Sequence, residues 1–311
     1  MAKIVVIGVG AVGSTFAYTA QMAGIAEEIV LIDINNAKAE AEASDMSHAG
    51  SFLKPVDVHA GTYADCKDAD IIVLTAGIAQ SPGESRLALV ERNAKVCESI
   101  VDQIKKYGKD VLILVVTNPV DVMTRIVLER SGFPPNHVLG SGTVLDSARF
   151  RQILSRYCKV DPRNVHAYVL GEHGDSEVPI WNHVRVAGIP LSDFLSGCDK
   201  EWNENDREKI TQAVRNSAYH IIESKGATSY GVSQALLRIV EAYLRDEDAI
   251  LTVSTMIQGQ YGIEDVCLSV PCVINRTGIS RIVEMPLEFS EKEQLLRSAE
   301  IIRETAKSVG Y

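Results

Sequence analysis

No C-x-x-C pair and no cluster of cysteine and histidine at zinc-ligand spacing occurs in this chain; its cysteines are scattered at Cys66, Cys97, Cys158, Cys198, Cys267 and Cys272. The usual signatures of a structural metal or a redox disulfide are therefore missing, and the expectation is no metal and a reduced protein with buried thiols. Long apolar runs are missing too: none approaches the roughly 18 residues of a membrane span. Met1-Ala-Lys3 leads straight into a strand-like segment and leaves no room for a cleaved leader, so a cytoplasmic protein without membrane contact is expected. Positive charge is in deficit. Lys plus Arg is 31 against 41 Asp plus Glu, a net charge of -10, which disfavours nucleic acid as a partner. A locally positive site can still take a small anion. No internal repeat or low-complexity tract is visible.

What is present is globular in character, with 46% hydrophobic and 23% charged residues in 311. At roughly 150 residues per domain, that length suggests two domains. Short apolar runs at Ile4–Ile7, Ile29–Ile32, Val56–His59, Ile71–Thr75 and Val111–Val116 alternate with helix-like stretches. The clearest helix covers 87–104, where Leu87, Val90, Ala94, Cys97, Val101 and Ile104 recur at steps of three and four. Strands alternating with helices imply βαβ units and a parallel sheet buried on both faces. Beyond Pro134-Pro135 the pattern changes. Helices are predicted near 143–157, 206–225 and 229–245, and antiparallel strands near 164–170, 180–188, 250–256 and 266–284, with a turn at Gly278. A last helix is predicted from Ser290, with Glu293 completing a capping box and a stripe of Leu295, Ala299, Ile302, Ala306 and Val309.

Gly8-Val-Gly10-Ala-Val-Gly13 is a G-x-G-x-x-G that follows a strand pattern and opens a helix pattern, and the next strand ends in Asp33. This is the dinucleotide-binding arrangement. Gly8 permits the tight turn, Gly10 lets a pyrophosphate approach the backbone, and Gly13 allows the helix to pack on the strand. The phosphates would sit on unpaired N–H groups at the helix start. Asp33 would accept hydrogen bonds from the ribose and repel a 2′-phosphate, which selects NAD over NADP. The fold class is thus α/β: a Rossmann doubly wound parallel sheet over 1–141, followed by a C-terminal α+β substrate domain over 142–311.

Three further segments combine polar groups in unusual company: Ala79-Gln-Ser-Pro-Gly-Glu-Ser-Arg86, Val144-Leu-Asp-Ser-Ala-Arg149 and Gly171-Glu-His-Gly-Asp175. Together with the fingerprint, and in the same order along the whole chain, they resemble the L-lactate/malate dehydrogenase superfamily. The resemblance implies reversible reduction of a 2-keto acid by NADH, with His173 as the acid/base group, since an imidazole exchanges protons near neutrality. It implies that Asp146 orients His173 and that Arg149, one helical turn on, binds the substrate carboxylate with its planar fork. Arg86, beyond the Pro82-Gly83 turn, would close over the developing alkoxide on a mobile lid. Asn118 would bond substrate or nicotinamide, Thr228 would line the substrate pocket, and Val232 would contact the nicotinamide. By the same matching, Val12, Lys38, Tyr63, Gly77, Ile78, Ser99, Val116 and Ser141 join Asn118 on cofactor-contact positions. Among the other histidines, only His166 is given a role beyond structure.

Gln80 occupies the lid position where malate dehydrogenases of this resemblance place an arginine for the second carboxylate. A neutral amide would leave that carboxylate unpaired in a dry pocket, so pyruvate and L-lactate are the expected substrates. Malate dehydrogenase, or another 2-hydroxy acid dehydrogenase, is the alternative. The resemblance also implies a homotetramer and activation by fructose 1,6-bisphosphate, with Arg151 and His166 from facing subunits meeting on a two-fold axis.

Overall fold

The apolar runs near the start of the chain become the centre of one sheet. In the computed structural model, which describes residues 2–78, 86–109, 111–198 and 202–311, β1 (Lys3–Ile7), β4 (Ile71–Leu74) and β5 (Leu112–Val115) are buried at every position. A parallel sheet covered on both faces requires this. With β2 (Glu28–Ile32), β3 (Asp57–Ala60) and β6 (Val138–Gly140) they form a parallel block in the order β6-β5-β4-β1-β2-β3. Helices α1 (Ala11–Ala23), α2 (Asn36–Ala49), α3 (Arg86–Tyr107) and α4 (Val120–Ser131) lie in the connections between them. The chain moves outward in opposite directions from β1 and β4. A crevice therefore opens beyond the carboxyl ends of that pair, the place where such sheets bind ligands.

The sheet runs on past the expected boundary at 141. Three antiparallel strands, β10 (Ala249–Gln258), β11 (Glu264–Asn275) and β12 (Gly278–Ile282), extend it, with Ser254 of β10 opposite Gly140 of β6. A second, antiparallel sheet of β7 (Val165–Leu170), β8 (Val178–Val186) and β9 (Ile189–Pro190) stands apart. It shares a small core with α5 (Val144–Cys158) and α7 (Glu204–Lys225), built from Phe150, Leu154, Val165, Val184, Ile210 and Val214. The short α6 (Leu191–Ser196) follows β9. Helices α8 (Tyr230–Leu244) and α9 (Phe289–Ser308) pack into the main core through Leu236, Ile239, Leu295 and Ile302. No described helix is long and apolar enough to cross a membrane.

Several local expectations are corrected. Leu87 is 47% exposed, so the buried stripe of α3 begins at Val90. The capping box of α9 is Glu288 with Glu291, not Ser290 with Glu293: Glu291 is buried, and its Oε2 accepts from the Glu288 N–H at 3.0 Å. Val309 falls just beyond the end of that helix. Cys198 is exposed and Cys158 half-buried, while the other thiols are buried as expected. β6 and α4 have no counterpart in the sequence reading, and neither do the short β9 and α6. α4 is buried on nearly every side, from Val120 through Leu128. A helix buried nearly all round, with Asp121, Thr124 and Arg125 interleaved among its apolar residues, lacks the one-sided stripe by which helices are recognised.

Candidate active site

The turn after β1 has the geometry that the glycine fingerprint asks for. Gly8 sits at φ +99°, in the left-handed region, and a Cβ there would lie 2.5 Å from the Ala76 backbone. At Gly13 a Cβ would lie 1.9 Å from the Gly8 carbonyl oxygen, so α1 can approach β1 only without a side chain. A Cβ on Gly10 would meet nothing within 4 Å, which leaves open space directly over the start of α1. That helix has no side-chain cap and no acidic residue in its first turn, so its first N–H groups face the space unpaired. A cleft of about 820 Å³ continues from there. Gly8, Gly10, Asp33, Lys38 and Tyr63 line one part of it, and Gly77, Ile78 and Ser99 another. An extended dinucleotide with a pyrophosphate fits this donor set and shape.

Asp33 is already tied to the turn. Its Oδ2 accepts from the Val9 N–H at 2.8 Å and its Oδ1 from the Asn35 N–H at 2.9 Å. Each oxygen keeps a further lone pair for a ribose hydroxyl. Burial, and beyond it Cys66 and Asp33, push the Tyr63 phenol up, so it stays neutral beside that carboxylate. Val12 on α1 and Val232 on α8 are both half-buried and pack against the main core, and Val116 does the same just beyond β5. The Ser141 N–H donates to the Val115 carbonyl at 2.8 Å beyond β6. Asn118 ends the loop after β5 with its side chain exposed, ahead of a cis peptide bond to Pro119. Thr228 lies half-buried between α7 and α8.

The residues expected to be catalytic come together where α5 meets the segment after β7. His173 Nδ1–H donates to Asp146 Oδ2 at 2.5 Å, and Arg149 donates to Asp146 Oδ1 at 2.8 Å. Asp146 itself is 2% exposed, while His173 keeps 24% of its side chain open. Its Nε2 has no hydrogen-bond partner among the described residues, which leaves that nitrogen to exchange a proton. Burial disfavours the imidazolium, but Asp146 outweighs it by charge and hydrogen bond, with Asp121 adding to it, and the His173 pKa is pushed up to about 9. Burial likewise opposes the Asp146 carboxylate, yet His173 and Arg149 hold its pKa below the ordinary value. Gln80 lies outside the described residues, and for Arg86 only its place as the first residue of α3 is described.

The structure adds groups that sequence reasoning missed. Asp121, buried in α4, accepts from the His173 backbone N–H at 2.8 Å and from Ser269 Oγ at 3.2 Å, fixing the histidine from behind. Ser298 of α9 accepts from the Glu172 N–H at 2.7 Å. Asn93 of α3 bonds Ile78 through both its side-chain atoms and donates to the Asn118 carbonyl at 2.9 Å, tying together two loops at the mouth of the crevice. Lys95 and Gln103 also line the cleft. An acidic residue inside the apolar run Val120-Asp-Val-Met123 was the one available signal for Asp121.

Comparison with known proteins gives a consistent picture. Residues 2–140 match the family model described as lactate/malate dehydrogenase, NAD binding domain, and residues 143–310 match lactate/malate dehydrogenase, alpha/beta C-terminal domain. An L-lactate dehydrogenase of Acetivibrio thermocellus is 48% identical over 307 residues, covering 99% of this chain and 97% of the relative. One from a Thermoanaerobacter species is 51% identical over 303 residues, 97% of each. The crystal structure of a minor L-lactate dehydrogenase from Enterococcus mundtii in its ligand-bound form superposes with a TM-score of 0.96 at 40% identity, covering 99% of this chain and 98% of that one.

Proposed function

The chain belongs to the lactate/malate dehydrogenase family, and from that premise we propose that it is an NAD-dependent L-lactate dehydrogenase that interconverts pyruvate and L-lactate. The observation that carries this reading is the chain of contacts Arg149–Asp146–His173 beside a dinucleotide-shaped cleft. Gly8, Gly10 and the start of α1 would hold the pyrophosphate and Asp33 the adenosine ribose. When bound, NADH supplies the hydride that reduces the keto carbon.

This chain's residues do the rest. Arg149 keeps donors beyond the one given to Asp146, and these pair with the substrate carboxylate. His173 carries a proton at Nε2 and gives it to the oxygen of the carbonyl as that oxygen becomes an alkoxide. In the direction of lactate oxidation the neutral imidazole takes the proton back. Asp146 fixes the tautomer and offsets the imidazolium charge, and Asp121 holds the backbone on which the ring turns. Arg86 is assigned to the developing alkoxide.

The choice of pyruvate over oxaloacetate rests on the neutral Gln80 and on the relatives' names. Purified protein should consume NADH with a far higher kcat/KM for pyruvate than for oxaloacetate; an equal or reversed ratio would overturn the assignment and favour malate. Gln80→Arg should move the ratio toward oxaloacetate by about 100-fold or more, as pairing a buried charge is worth several kcal/mol. A homotetramer with fructose 1,6-bisphosphate bound at Arg151 and His166 completes the proposal. Arg151 Nε donates to the Ala167 carbonyl at 3.0 Å, on the strand that also carries the exposed His166.

A further inference from the structure

Glu177 stands between the His173 loop and the start of β8 and takes no part in the mechanism above. It is 3% exposed, and its Oε1 is buried without a hydrogen-bond partner among the described residues. Its own N–H donates to the Gly174 carbonyl at 3.1 Å, which closes the turn carrying His173. From α7, Arg215 donates to the Glu177 carbonyl at 3.0 Å, and the Arg215 Nε is likewise buried without a partner among the described residues. The charged groups that act on the Glu177 carboxyl come from every side: Asp146 and Arg149 on α5, His173 on its own loop, and Arg215 on α7.

We propose that Glu177 is a positioning residue for proton transfer, acting through Asp146 and His173 without touching substrate. It rests beside the pair as a neutral acid at neutral pH and as a negative charge in alkali. Two carboxyls around one dry site do not both ionise freely. Burial first and the Asp146 charge second push the Glu177 pKa up to about 8, against the pull of His173, Arg215 and Arg149. At neutral pH the neutral acid adds no further negative charge to those of Asp146 and Asp121 around His173. Coupling between two titrating groups is reciprocal. A positive His173 favours ionised Glu177, so ionised Glu177 favours a protonated His173. As pH climbs, the loss of the Glu177 proton delays the loss of the His173 proton, and reduction persists further into alkali than the pair alone would allow.

The inference rests on the dehydrogenase reading, and the experiment separates the two. The pH profile of kcat/KM for pyruvate is recorded for the unaltered protein and for Glu177→Gln, which keeps shape and neutrality but cannot ionise. The variant should lose at most about threefold at pH 6, while its alkaline fall comes about half a pH unit earlier, so that the deficit widens with pH. A deficit that is the same at every pH, or profiles that superimpose, would overturn the assignment of Glu177 while leaving the dehydrogenase reading intact. Absence of pyruvate turnover in the unaltered protein would overturn that reading instead. A second measurement needs no folded variant: carbon NMR of the unaltered protein labelled at glutamate carboxyls should show one carboxyl titrating near pH 8. A spectrum in which every glutamate titrates below pH 6 would overturn the proposal.

Discussion

Asp146 balances two cations from the interior of the protein, and that arrangement sets the pH behaviour of the reaction. The His173 pKa is raised in the folded protein, so the pairing stabilises the fold fully below the ordinary histidine value of 6.5 and the contribution is lost as pH rises through about 9. In the proposed mechanism the same group is the proton donor, so kcat/KM for pyruvate should hold through neutrality and decline toward pH 9, while lactate oxidation should climb over that window. Asp146→Asn removes the negative charge and leaves the ring geometry approachable. It should cost on the order of 100- to 10,000-fold in kcat. It should also move the alkaline decline of pyruvate reduction to lower pH, because burial then opposes the imidazolium without compensation. An unmoved decline in steady-state profiles would show that Asp146 only packs. These three residues were singled out in the sequence because Gly171-Glu-His-Gly174 and Asp146-Ser-Ala-Arg149 carry the family resemblance; an acid and an arginine one helical turn apart otherwise read as a surface ion pair. Glu177 was not, because nothing in its immediate sequence says that it is buried, and for Asp121 the only local signal was the apolar run around it.

At the scale of elements, the catalytic segment is held by helices distant in sequence. Ser298 of α9 is fully buried, accepts from the Glu172 N–H at 2.7 Å and lies 3.0 Å from Ser176 Oγ, so the end of the chain fastens the turn that carries His173. Ser298→Ala would strand the Glu172 N–H in the interior, at a cost of about 1–3 kcal/mol. A lower melting temperature and a severalfold lower kcat are expected, with the KM for NADH unchanged because the nucleotide cleft lies elsewhere; a raised NADH KM with unchanged kcat would contradict this. The alternation of strands and helices in the first half was legible because its strands are buried on both faces and its exposed helices carry one apolar stripe. α4 and the placement of β10 against β6 were not. The first is buried on nearly every side, so no exposed face marks it, and the second is a long-range pairing through Ser254 and Gly140 that no local pattern encodes. The capping box slipped by two residues for a related reason: S-x-x-E and E-x-x-E both fit the spacing, and only the burial of Glu291 decides between them.

For the whole molecule, the net charge of -10 hides a positive face. Arg151 is half-buried, its guanidinium lies 5.4 Å from the Tyr168 ring centroid, and no carboxylate pairs with it among the described residues. Burial lowers its pKa against the influence of Tyr168, which means that the charge is held at some cost and would gain from an anion. His166 lies on β7 opposite Arg185 of β8, which adds a second guanidinium to the same region. If two copies face each other there, these groups repel, and an anion with a phosphate at each end relieves the repulsion in the assembled state alone. Fructose 1,6-bisphosphate should therefore lower the KM for pyruvate and raise the melting temperature together. Both responses should weaken in Arg151→Gln, and inorganic phosphate should reproduce them only at far higher concentration, because it cannot bridge two copies. Light scattering with and without the bisphosphate, run beside the kinetics, decides the matter: activation without any change in assembly would place the ligand within one subunit rather than between two.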